Sequence, residues 1–279
     1  MAERTKRSKI RINDISISYF IKKASQKEQR TVIFLHGFPF NKTMWSAQLE
    51  ALDESTTGIA LDIRGHGNST SGHSFLSIDL FAKDLIAFIK KMALKEVVVC
   101  GISMGGYVAL RAYEIAPTVF SGLILSDTHS QADDKAAKQK RFDSIEAVLT
   151  HGRRPFAIGF IENVFAHPRA EQNLASVDLI KSSIRRNSIT SICATLLALA
   201  ARTDTSEVLS AISVPTLLLR GEQDKITPAA LMQEMHAHIP QSEFVSIANS
   251  GHLPNLENPI AFNESLLNFL KKIAAVTTA

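Results

Sequence analysis

The chain has 279 residues, 45% of them hydrophobic and 21% charged, and 31 basic against 27 acidic side chains leave a net charge of +4. That length buries a sizeable core in one large α/β domain or two small ones, and the balance of apolar and charged residues excludes a disordered chain. Aromatic residues make up 7%, with no platform of interleaved Lys, Arg and aromatic side chains, so no nucleic-acid partner is expected.

In chain order, the basic run Arg4, Lys6, Arg7, Lys9 and Arg11 reads as a frayed, solvated terminus. It has no apolar h-region, so no signal peptide is expected. Residues 15–21 alternate apolar and polar, the pattern of an edge strand with one solvated face. Residues 31–35 suit a strand buried on both faces. Further strands are predicted at 58–62, 97–100, 123–125, 215–219 and 244–247. Helices fall between them. Phe81, Leu85, Phe88, Ile89 and Met92 recur at spacings of three and four, residues 104–116 stop before Pro117, and residues 260–273 close the chain.

Strands alternating with helices of this length predict an α/β fold: a mostly parallel central sheet with helices on both faces. From residue 130 to 213 the rhythm breaks into helix-like stretches without a strand, too long for a loop. Residues 1–129 and 214–279 are therefore expected to form the core domain, with 130–213 as a helical cap at the sheet edge where ligand crevices form. The most apolar stretch, 192–201, is about half a membrane span, so no membrane partner is expected. Cys100 and Cys193 cannot make a disulfide framework or a four-ligand zinc site. The expectation is a reduced, soluble, cytoplasmic protein, and nothing in the sequence sets an oligomeric state.

Gly101-Ile102-Ser103-Met104-Gly105 fits G-x-S-x-G and lies between a buried strand and a helix. A tight strand-to-helix turn strains the backbone of the serine and needs small neighbours, which Gly101, Gly105 and Gly106 supply. Ser103 then projects near the positive end of the following helix, which favours developing negative charge.

At this point the chain resembles the α/β-hydrolase family over nearly its whole length. The segments that carry the resemblance are Leu35-His36-Gly37-Phe38-Pro39, Asp62-Ile63-Arg64-Gly65-His66-Gly67-Asn68-Ser69, the turn around Ser103, Gly221-Glu222-Gln223-Asp224 and Ser250-Gly251-His252, in family order. Within the superfamily it looks most like the small esterases and 3-oxoadipate enol-lactonases, through His36-Gly37-Phe38-Pro39 with Met44-Trp45 shortly after, Ser126-Asp127-Thr128 and His252-Leu253-Pro254-Asn255-Leu256-Glu257. The resemblance implies Ser103 as nucleophile, His252 as general base and Asp224 as the carboxylate that orients the base. Asp127, which ends a strand where some family members carry the acid, is the alternative to Asp224. The backbone N–H groups of Phe38 and Met104 are the expected oxyanion donors.

His36 reads as a structural anchor, His66 as part of a turn motif, and Asp62 and Arg64 as residues holding neighbouring loops. With no P-loop and no metal-ligand spacing among the 9 His and 2 Cys, neither a cofactor nor a metal is expected. Ser103 separates the chain from dehalogenase and epoxide-hydrolase relatives, which carry Asp there. Gly37-Phe38-Pro39 departs from the Gly-Gly-Pro-Gly of proline iminopeptidases. The expected reaction is cleavage of a small-molecule ester or lactone through an acyl-enzyme. Carbon–carbon bond hydrolysis, perhydrolysis and a small-molecule receptor that retains the triad are the alternatives. No substrate-binding residue is assigned. Apolar residues of the 130–213 stretch, among them Phe142, Phe156, Ile158, Phe160, Leu197 and Leu199, are expected to leave a surplus facing Ser103. Arg153, Arg154, Arg185 and Arg186 read as a solvated helix face, although one turned inward would pair with a substrate carboxylate.

Overall fold

The computed structural model describes residues 5–27, 30–73, 75–166 and 174–277. Its eight strands are β1 (Thr5–Ile12), β2 (Ile15–Lys22), β3 (Arg30–Leu35), β4 (Thr56–Leu61), β5 (Val97–Ile102), β6 (Gly122–Ser126), β7 (Thr216–Gly221) and β8 (Ser242–Ile247). They form one sheet in the order β1-β2-β4-β3-β5-β6-β7-β8. From β4 through β8 every neighbouring pair is parallel, while β1 and β2 pair antiparallel with each other and β2 pairs antiparallel with β4.

The central strands are apolar throughout because both faces are covered. Val32, Phe34, Val98, Cys100 and Ile124 join one buried cluster, with Trp45, Leu49, Phe262 and Leu266. Ile33, Leu35, Val97, Val99, Leu123 and Leu125 join a second, with Phe81, Leu85, Val108, Leu110, Met232 and Met235. Helices α2 (Ile78–Lys91), α3 (Met104–Ile115) and α8 (Ala229–His238) thus cover one face, and α1 (Ser46–Ala51) and α10 (Pro259–Thr277) the other. Cys100 is fully buried, and burial pushes its thiol pKa up.

Two expectations at the start of the chain are corrected. The basic run from Lys6 to Arg11 is not frayed: it lies in β1, paired with β2 over eight residues. Arg4 lies outside the described residues. β2 is consequently the second strand and not the edge. The ladder to β2 and the buried Ile12 hold β1, while Lys6, Arg7, Lys9 and Arg11 stay exposed, as suits an edge that must not recruit another strand.

Between β6 and β7 the described chain forms helices α4 (Lys135–His151), α5 (Arg153–Val164), α6 (Leu174–Arg186) and α7 (Ile189–Ala200), and no strand. Asn187, just past α6, ties this segment to the rest: its amide donates to Pro39 O at 2.7 Å and accepts from Gly67 N at 3.1 Å. After β8, the short helix α9 (Pro254–Glu257) precedes α10. Among the described residues no helix is long and apolar enough to cross a membrane.

Two buried cations, Lys42 and Arg64, are paired with acids. Lys42, 1% exposed, bridges Asp62, which also accepts the backbone N–H groups of Lys42 (2.9 Å) and Asn68 (2.8 Å). Arg64 forks onto Asp84 (2.6 and 2.8 Å) and Asp14 (2.8 Å each). These pairs hold the loop that follows β4 against the loop after β3, the β1–β2 turn and α2. Replacing Asp62 by Asn leaves the ammonium of Lys42 buried without its counter-charge. Urea unfolding of Asp62→Asn is expected to show a loss of about 3–5 kcal/mol, and a loss below about 1 kcal/mol would contradict a buried pair of this kind.

Candidate active site

Strand β5 ends at Ile102 and α3 begins at Met104, so Ser103 alone makes the reversal, at φ 52 and ψ −118. A side chain at Gly101 would strike the backbone of Gly105, and one at Gly105 would strike the carbonyl of Leu35. Ser103 N donates to Ser126 O (2.9 Å), and Ser103 O accepts from Thr128 Oγ1 (2.9 Å) and Gly106 N (2.9 Å). The turn is therefore fixed from three directions. Met104, as the first residue of α3, has an N–H with no acceptor inside the helix.

The loop after β3 carries Phe38, which is buried. His36 pins this loop: its Nε2 accepts from Ile63 N at 3.0 Å, so its Nδ1 donates to Gly37 O at 2.8 Å. Burial, together with nearby His66, holds the His36 imidazole well below its ordinary pKa. His66 contacts Arg64 O through Nδ1 at 3.0 Å, and burial lowers its pKa to about 4. Neither ring is among the residues lining the cavity described below.

At the ends of β7 and β8, His252 Nδ1 and Asp224 Oδ2 are 2.9 Å apart, and both residues are buried. Asp224 Oδ1 accepts from Ile226 N at 2.8 Å. Burial alone would raise the Asp224 pKa, but the neighbouring His252 and these hydrogen bonds outweigh it and hold it below the ordinary value. His252 N donates to Val164 O at 2.8 Å. The carboxylate of Glu257 accepts from Gly251 N (2.9 Å), Leu253 N (3.2 Å) and Ala166 N (2.7 Å). One buried acid thus binds the His252 loop to the end of α5, a role that no spacing in the sequence suggests.

The structure brings the alternative acid to the same place. Asp127, fully buried with φ 46, accepts from Gly221 N (2.8 Å) and Ser126 Oγ (2.6 Å). One donor atom each from Asp127, Asp224 and His252 lie within 4.8 Å of one another. The carboxylate oxygens already accept donors from the protein, so the cluster is a hydrogen-bonded chain and not a set of free ligands. Burial and the charge of Asp224 push the Asp127 pKa well up.

Ser103 and His252 line one cavity of about 370 Å³, together with Phe38 and Met104. Phe156, Phe160 and Leu199 reach it from the segment between β6 and β7. Phe142, Ile158 and Leu197, of the same apolar set, are about half exposed. None of Arg153, Arg154, Arg185 and Arg186 lines it. Arg153 donates to the carbonyls of Arg185 (2.9 Å) and Asn187 (2.7 Å), closing the end of α6. Among the described residues an arginine that sequence reasoning missed does line the cavity: Arg141, on α4.

A family model for the alpha/beta hydrolase fold matches residues 30–259. The chain belongs to the alpha/beta hydrolase family. A hydrolase role follows from that membership. The chain is 28% identical to 3-oxoadipate enol-lactonase 2 of Acinetobacter baylyi, over 93% of this chain and 94% of the relative. It is also 28% identical to the non-heme chloroperoxidase CPO-A1 of Kitasatospora aureofaciens, over 87% and 93%. Among solved structures, a thermophilic esterase from Thermogutta terrifontis superposes with a TM-score of 0.88 at 31% identity, covering 96% of this chain and 99% of the other.

The raised pKa of Asp127 has a stability consequence. The native state keeps a proton that the unfolded chain releases above about pH 4, so Asp127 weakens folding increasingly as pH rises toward its folded-state value. Asp127→Asn is neutral at every pH and escapes this effect. Chemical denaturation of both proteins between about pH 4.5 and 7 is expected to show the native protein losing ground to Asp127→Asn as pH rises. A difference independent of pH would mean that Asp127 is ionised in the fold.

Proposed function

We propose that this hydrolase cleaves a small carboxylic ester or lactone through an acyl-enzyme on Ser103. The observation that carries the reading is that Ser103, held in a left-handed turn, and His252, hydrogen-bonded to buried Asp224, line a single cavity. With Nδ1–H donated to Asp224, Nε2 is the nitrogen left to take the proton from Ser103 Oγ as that oxygen attacks the substrate carbonyl. Asp224 holds the ring and stabilises its charged form. The N–H groups of Phe38 and Met104 receive the negative charge on the carbonyl oxygen. The C–O bond to the leaving alcohol then breaks, His252 returns its proton to that oxygen, and water releases the acid by the same steps in reverse.

In this reading residues 130–213 form a cap over the core made by 1–129 and 214–279, and the cap roofs the acyl site. Phe156, Phe160 and Leu199 keep it dry. The free thiols Cys100 and Cys193 fit a reducing compartment, which we take to be the cytoplasm. The chloroperoxidase relative favours a second reading of the same site, in which peroxide replaces water as acceptor of the acyl group. A receptor, by contrast, would give at most slow or single-turnover hydrolysis.

A panel of p-nitrophenyl esters of increasing acyl length tests the proposal. Multiple turnover is expected, with higher kcat/KM for acetyl and butyryl esters than for chains of about twelve carbons. Ser103→Ala is expected to lower kcat by roughly 10³-fold or more, and Asp224→Asn by on the order of 10⁴. Normal turnover by a folded Ser103→Ala protein would overturn the reading, and a preference for long chains would overturn the roofed site.

A further inference from the structure

Among the described residues that line the cavity, Arg141 is the one that carries a permanent charge. Its polar neighbours there are already engaged on their own helices: Ser144 Oγ donates to Lys140 O (2.7 Å) and Asn163 Nδ2 to Gly159 O (2.7 Å). Arg141 is not so engaged. Its Nε donates to Asp133 Oδ2 at 3.0 Å, and among the described residues neither Nη group has a partner. The side chain is half-buried, at 28% exposure.

Asp133 does not neutralise it. The other oxygen of that carboxylate is taken by Arg202, so two guanidinium groups share one acid. Arg202 is buried and otherwise occupied. It donates to Gln131 O (2.8 and 3.1 Å) and Leu199 O (3.2 Å), and lies over the ring of Tyr107 at 4.3 Å, a ring that also lines the cavity. His129, against Arg202, has its pKa lowered to about 4 by burial and by the Arg202 charge, so it is neutral at pH 7. Asp204, the other acid near Arg202, is exposed and accepts backbone N–H groups of Ala132 and Ser206. The wall beside Tyr107 therefore includes a guanidinium held through Nε, with no partner for its Nη groups among the described residues and with excess positive charge, in a chamber of mixed polar and apolar lining.

We infer that Arg141 is a specificity-determining residue that binds a carboxylate on the substrate, so that the preferred substrate is a short ester or lactone bearing a free acid group. This rests on the reading of Ser103 and His252 as the reacting pair. Two Nη–H donors match a carboxylate in fork geometry, and partial burial strengthens charge-assisted bonds. The acid would lose water but regain two donors. An uncharged chain in the same place would leave the guanidinium half-buried and unmatched.

The test compares the p-nitrophenyl hemiester of glutaric acid with its neutral methyl ester, in the native protein, Arg141→Gln and Arg141→Lys. The native protein is expected to have at least ~10-fold lower KM for the anionic ester. Arg141→Gln is expected to raise that KM by at least ~10-fold with kcat held within about two-fold, and not to raise the KM of the neutral ester comparably. Arg141→Lys keeps the charge without the fork and should fall between them. Calorimetric binding of the two esters to Ser103→Ala gives the same comparison without turnover, so a failure of the serine-hydrolase reading is told apart from a failure of this one. Equal affinity of the native site for both esters, or an equal loss for both in Arg141→Gln, would overturn the inference.

Discussion

Strand β5 must end and helix α3 begin within one residue, and Ser103 absorbs the reversal in a backbone region that costs a non-glycine residue about 1–3 kcal/mol. The strain persists because the flanking structure leaves no other path. β5 is paired on both sides and buried on both faces, and the approach of Gly105 to the end of β3 leaves no room for a side chain. Ser126 and Thr128, from the end of the neighbouring strand, bond the backbone of Ser103 itself. The position of the proposed nucleophile is thus a property of the sheet, and its side chain opens into the cavity as a consequence.

A parallel sheet delivers the ends of its strands to one edge, and the other site residues arrive there by the same rule. Phe38 follows β3, Asp127 follows β6, Asp224 follows β7 and His252 follows β8. What the sheet does not supply is the fine spacing of the loops. Buried polar groups do that: His36 holds the Phe38 loop, Asp127 braces β7 through Gly221 N, and Glu257 joins the His252 loop to α5. Each is a buried group that bonds the backbone of a loop or strand end, so each fixes its segment in place. Asn187 extends the same device to the loop after β3.

Much of this was legible in the amino-acid sequence, for a physical reason. A strand buried on both faces is an unbroken apolar run, and Val97-Val98-Val99-Cys100 followed by glycine, serine and glycine leaves little alternative. β1 was not legible, because Lys6, Arg7, Lys9 and Arg11 read as a solvated tail and only the ladder with β2 makes them a strand. The role of Asp127 was open because its distance in sequence from Asp224 says nothing of two carboxyls brought together by adjacent strands. Arg141 was invisible for a stronger reason. Its Asp133 partner also holds Arg202, which reaches it only when α4 packs on α7, so its unmatched charge is a tertiary property. The arginines that sequence reasoning did single out are exposed or spent on the end of α6.

The central claim is that Ser103 carries the acyl group, and the most direct measurement is of that bond. Rapid acid quench of the native protein with p-nitrophenyl acetate, followed by proteolysis and mass spectrometry, should show an acetyl group on the peptide containing Ser103, formed within the first turnover. Acetyl on another residue, or steady turnover with no covalent adduct at any time, would contradict it.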